Sequence, residues 1–99
     1  MKQLTALATL LLESDEKTML GTNAVAVMEK HFYPLYISPT IGMELDVYGY
    51  HAKIIRVIID DTGVIEIIAQ LTIESEEITL KELIKKLEEL GWHEDLRES

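Results

Sequence analysis

The residues of this chain with the means to do chemistry are three histidines, one pair of adjacent aspartates, four serines and a cluster of aromatics. Metal binding is the first possibility. His31, His51 and His93 fall in three separate segments, and no two stand three or four residues apart. Neither H-x-H nor H-E-x-x-H occurs, so the spacing that lets one helix or strand offer two imidazoles to a metal is missing. Grouping His51 with Asp60 or Asp61 would join opposite ends of one strand, roughly 30 Å apart at about 3.3 Å per residue. No metal site and no cofactor are expected.

Acid–base and nucleophilic chemistry fare no better. Asp60 and Asp61 are neighbours, and neighbours on an extended chain point to opposite faces, so they do not share a proton as a catalytic dyad does. Ser14, Ser38, Ser75 and Ser99 sit in expected loops or at the end of the chain, none in a nucleophile-elbow context. A chain this short also leaves little room for a pocket of several hundred Å³. No catalytic residue is expected, and a small-ligand binder or enzyme ranks third among the functional readings.

The aromatics remain. Phe32, Tyr33, Tyr36, Tyr48, Tyr50 and Trp92 make up the whole set, and five of the six lie between residues 32 and 50. On a basic surface such a cluster would stack nucleic-acid bases. Here its neighbours in sequence are Lys30, Lys53 and Arg56 on one side of the ledger and Glu44 and Asp46 on the other, within a chain of net charge −9. Tyrosine also suits protein interfaces, since it joins a broad apolar body to a polar tip. Tyr33, Tyr36, Tyr48 and Tyr50 are therefore the candidate interaction residues. If the alternation of Met43, Leu45 and Val47 carries on, Tyr48 and Tyr50 point away from the core.

Charge narrows the partners. Eighteen acids oppose nine bases, and residues 74–99 alone hold nine acids and four bases. A field of that sign repels phosphate backbones and anionic membrane surfaces and favours a basic partner. The acidic end could also mimic a phosphate backbone, which makes an inhibitor of a nucleic-acid enzyme, or a weak single-strand binder, the second functional reading. The lack of cysteine excludes disulfide and thiolate chemistry and fits a reducing interior. The opening stretch "MKQLTALATLLLESDEK" has threonines within its apolar run, acids directly after it and no small-x-small cleavage site. It is too short to span a bilayer. A cytoplasmic location, with no membrane partner, is the expectation.

The elements that must position these residues follow from periodicity. Leu80, Leu83, Ile84, Leu87 and Leu90 step as one helix face, predicting a helix over 79–90. Thr79 and Glu82 form a capping box, Ile78 and Leu83 are placed as a staple, and Glu82 with Lys86 has ion-pair spacing. Gly91 should stop the helix and let Trp92 fold back onto Leu87. Residues 63–73 alternate as a half-buried strand, and residues 51–60 as a second, with Ile55, Val57 and Ile59 on one side. The "DDTG" between them is hairpin chemistry. A third strand is expected over 42–48, turning at Gly49. Residues 3–13 satisfy both helix and strand periods; strands are expected there and over 23–33, with Pro34 and Pro39 bracketing an extended segment.

Together these predict one domain over 1–99 of the α+β class. It would be a small, mainly antiparallel sheet or open barrel of about five strands with one C-terminal amphipathic helix. The function this pattern favours is a small non-enzymatic protein–protein interaction module that associates with itself as a homo-oligomer or with another protein.

Overall fold

Burial settles which period governs the first segment: Ala6, Ala8, Leu10 and Leu12 are buried in turn while the residues between them are not, as a strand requires. The computed structural model describes residues 4–95. Gln3, at the start of the first expected strand, and the tail residues Glu98 and Ser99 lie outside the described residues. The elements are β1 (Leu4–Lys17), β2 (Asn23–Leu35), β3 (Glu44–Val47), β4 (Tyr50–Ile59), β5 (Ile65–Ile73), α1 (Leu80–Glu89) and β6 (His93–Glu94). β1 runs past Glu13 because the polar "SDEK" continues as strand, and the chain reverses only at Thr18–Thr22.

The sheet has six strands in the order β3-β4-β5-β1-β2-β6. It is mixed, which corrects the simple five-strand picture in two ways. The central pair β1/β5 is parallel, running in register from Ala6 opposite Ile65 to Ser14 opposite Ile73. Parallel partners cannot be joined by a tight turn, so they are far apart in the chain and leave no local sequence signal. The sixth strand, β6, follows the helix and pairs its two residues with Met28 and Glu29, so the helix is not the last element. Both edge strands are short, four residues in β3 and two in β6, which limits the unpaired edge offered to other chains.

Two bulges reset which residues face the core. In β2, Ala6 faces Tyr33 and Ala8 faces Lys30, so His31 and Phe32 together oppose Leu7 alone. Phe32 has φ of 59°, a left-handed conformation that is rare for a bulky side chain. The core phase passes from Met28 on even positions to Tyr33 and Leu35 on odd ones. In β4, Ile54 pairs with Ala69 and Arg56 with Ile68, leaving Ile55 as the extra residue. Ala52 and Ile54 are buried before this bulge and Val57 faces inward after it. The expected face of Ile55, Val57 and Ile59 is thus broken: Ile55 is exposed.

The covered face of the sheet packs against α1. Leu83 and Leu87 are fully buried against the strands, with Ile78, Leu80 and Ile84 partly buried around them. The capping box forms as the sequence implies, the Glu82 amide donating to Thr79 Oγ1 at 3.1 Å. The Glu82 carboxylate therefore turns back to Thr79, which donates to it at 2.9 Å, rather than reaching along the helix to Lys86. The strand end fastens the helix start. Glu16 Oε2 accepts the Leu80 amide at 2.7 Å and the buried Ser14 hydroxyl at 2.9 Å, while Asp15 accepts the Ser75 amide at 2.8 Å. Ser14 is thus a satisfied structural group, and hydrogen bonding by Ser75, its side chain first and then its amide, holds the Asp15 carboxyl below the usual carboxylate range.

Candidate functional site

Three of the four candidate tyrosines meet at one place, where the end of β2, the β3–β4 turn and the stop of α1 converge. Each arrives for a local reason. The bulge at His31–Phe32 turns Tyr33 onto the core side, where it is half-buried. Helix α1 ends in a Schellman motif. Gly91, with φ of 94°, donates to Glu88 O, and Trp92 donates to Leu87 O at 3.0 Å. That reversal buries Trp92 and brings its ring to 5.8 Å from that of Tyr33, tilted by 53°. Lys30 closes this junction, donating to Leu90 O at 3.0 Å with its ammonium 5.8 Å from the Tyr33 ring centroid.

On the far side, Tyr48 and Gly49 are the two central residues of the turn between Val47 and Tyr50, with φ of 49° and 81°. Positive φ at both positions is the geometry that hairpin twist favours, but a tyrosine there costs about 1 kcal/mol or more. Asp46 supports the turn by accepting the Gly49 amide at 2.9 Å. Tyr48 is held half in solvent, and Tyr36, just past β2, is more exposed still.

Between them lies an open cleft of about 420 Å³. Tyr33, Tyr36, Tyr48 and Trp92 supply its aromatic lining, Pro34, Val47 and Leu90 the aliphatic part, and Lys30 and Asp46 its two charges. A second hollow of about 270 Å³ shares Tyr33, Pro34 and Asp46 with it and runs on past Ile37, Pro39, Met43 and Leu45. Burial pushes the Tyr33 phenol above its ordinary pKa, and the nearby Asp46 charge adds to that. The phenol therefore stays a neutral hydrogen-bond donor well past neutral pH.

Tyr50 does not join the others. It pairs with Val47 across the hairpin and packs partly against the core, because the turn at Tyr48–Gly49 ends the alternation that was expected to carry it outward.

The histidines are dispersed. His31 stands beside Phe32 on an exposed corner, with ring centroids 6.5 Å apart. His51 pairs with Glu44 at 3.1 Å on the surface, a contact worth about 0–1 kcal/mol. His93 is exposed in β6. Among the described residues, no three of His, Asp and Glu stand where they could hold a metal ion. Asp60 is absorbed by its turn. One carboxylate oxygen accepts the Thr62 hydroxyl at 2.6 Å and the Thr62 and Val64 amides at 2.9 Å, and these bonds, the hydroxyl first, hold its pKa below the usual range.

Sequence reasoning named the tyrosines and folded Trp92 back at the Gly91 stop, as observed, but did not bring Trp92 against Tyr33. Lys30, Pro34 and Asp46 were not placed beside them, because β2 and β3 are not neighbours in the sheet. Comparison with protein-family models, curated proteins and solved structures finds no match for this chain.

Proposed function

We propose that this chain is a non-enzymatic protein-interaction module whose aromatic cleft receives an extended segment of a partner protein. The observation that carries the reading is the convergence of Tyr33, Tyr36 and Tyr48 with Trp92 on one open cleft. Aromatic-lined grooves suit proline-containing extended segments, whose backbone is already ordered before it docks. The phenol tips supply hydrogen bonds at the rim, and Asp46, within a chain of net charge −9, selects a segment carrying a basic residue.

In this reading the sheet is an open barrel, with β2 and β3 lining one cleft across its gap though they are not hydrogen-bonded neighbours. The lack of cysteine suits a reducing compartment such as the cytoplasm. Single-stranded nucleic acid is disfavoured, since among the described residues Lys30 alone offers a positive charge in the cleft, and it is already bonded to Leu90.

Amide chemical-shift mapping tests this with three probes: a basic proline-rich peptide, its acidic counterpart and an oligothymidine. The basic peptide should shift residues 33–36, 46–49 and 90–92 with a Kd of about 1–100 μM. Tyr36→Ala and Tyr48→Ala should each weaken it about tenfold. Saturable binding of the oligothymidine there, or a peptide footprint elsewhere, would refute the proposal.

A further inference from the structure

The two hollows of the cleft share one wall, the outer edge of β3. β3 comes first in the strand order, and among the described residues no strand pairs with its far side. The two-residue turn makes Val47 and Tyr50 a hydrogen-bonded pair, so bonded pairs fall on the odd positions of β3. Ile54 keeps the same phase, its amide donating to Met43 O at 2.8 Å. Leu45 and Val47 therefore direct their backbone groups to β4, while Glu44 and Asp46 direct theirs outward, to the gap that faces β2. Side chains alternate too: Leu45 and Val47 lie on the core side, Glu44 and Asp46 in solvent.

The facing edge is different. Residues 33–35 of β2 form the other wall, but Pro34 has no amide to donate, so that edge is blunted where β3's is not. An extended chain entering the gap thus finds its backbone partners on β3. Antiparallel addition is the stronger pairing. It sets one guest residue opposite Asp46, the next opposite Leu45 and the third opposite Glu44. The first and third exchange backbone bonds with Asp46 and Glu44. The middle one turns its backbone away from β3 and its side chain towards Leu45 and the hollow lined by Ile37, Pro39, Met43 and Ile54. Charge acts at one position. Lys53 stands opposite Glu44 and partly offsets it, and His51 contacts Glu44 Oε2 at 3.1 Å. Asp46 accepts the Gly49 amide on Oδ1, which leaves its second oxygen to a cation on the first guest residue.

We propose that the cleft holds its partner by strand addition: an extended segment reading basic, apolar, polar adds antiparallel to the outer edge of β3. Resting on the cleft as the partner site, strand addition defines how the segment is held and in which direction it runs. The edge offers two bonded positions, so the complex is reversible, with a Kd of about 10–100 μM. Proline suits the middle position, whose amide β3 does not use, and is excluded from the other two.

Amide shift mapping of the full chain with a short capped peptide, arginine–valine–threonine in that order at its centre, tests this. Three further copies of the peptide each carry one N-methyl group, on the arginine, the valine or the threonine amide. The parent peptide should shift residues 33–36 and 44–48 and, at saturation, slow amide exchange at Glu44 and Asp46. Methylating the arginine or the threonine amide should weaken binding about tenfold or more, and methylating the valine amide about twofold or less. Glu44→Pro, which removes an outward-facing amide, should weaken the parent peptide about tenfold, whereas Glu44→Gln, which keeps it, should cost about twofold or less. The methylated peptides are read on the unaltered chain, so the test holds even where Glu44→Pro folds poorly. A footprint in the cleft that is indifferent to which amide is methylated would overturn strand addition and leave the cleft reading standing. No saturable binding at about 1 mM peptide, or a footprint elsewhere, would overturn both.

Discussion

The two faces of the sheet draw on similar residues and meet opposite fates. Leu10 and Leu12 point to one side of β1 and lie fully buried beneath α1, with Ile67, Leu83 and Leu87. Leu7 and Leu11, interleaved with them, point to the other side, where no helix of the described residues lies. The difference teaches that apolar composition alone does not mark a core. What makes one face a core is the helix fastened over it by Glu16 and by the Thr79–Glu82 box, whereas among the described residues no helix lies over the other face.

The sharpest way to break this comparison is to shorten neighbouring leucines. Leu10→Ala should lower stability by about 2–5 kcal/mol in urea unfolding, since it leaves a cavity under the helix. Leu11→Ala in a dilute sample should cost about 1 kcal/mol or less, because water already reaches that side chain. Equal losses at the two positions would erase the distinction. Next in size, Thr79→Ala should cost about 1 kcal/mol by removing the helix cap, with thermal melting as the readout. If the cover is what defines the inner face, this variant should also raise amide exchange in β1 near Ser14.

Gly91→Ala should cost about 1 kcal/mol. An added Cβ meets only the Lys30 side chain at 3.6 Å, so its effect comes from the φ of 94° and not from crowding. Trp92 fluorescence should shift to the red as the ring loosens from Tyr33. The smallest effect concerns acid. The Asp60 carboxyl has a lower pKa in the fold than in the unfolded chain, where it titrates near 4. Below that point the unfolded chain takes up the proton first, so the stabilisation is full above about pH 4 and is lost as pH falls through the lowered value. Asp60→Asn should flatten the acid limb of a stability–pH curve and leave the neutral region nearly level.

Local signals carried the legible part of the fold. The capping box, the Gly91 stop and the turn at Asp60–Gly63 are each written within a few residues, and all three form. Strand positions were legible from alternation, but their facing was legible only up to the bulges. One extra residue at Ile55 and one at the His31–Phe32 corner swap the faces of everything beyond, and neither has a glycine or proline to announce it. The parallel β1/β5 pairing and the approach of β2 to β3 are long-range outcomes of packing, which is why Tyr33 and Tyr48 could be named as candidates but not seen as neighbours. Tyr50 failed for a related reason: a turn, not the strand's period, sets its direction.

The most direct test of the account places a soluble paramagnetic agent against methyl-labelled protein in dilute solution and reads relaxation at Leu10, Leu11, Leu12 and Ile68. The account requires Leu10 and Leu12 to stay shielded while Leu11 and Ile68 are bleached. Bleaching of Leu10 to the same degree as Leu11, or shielding of Leu11 and Ile68 to the same degree as Leu10, would contradict it.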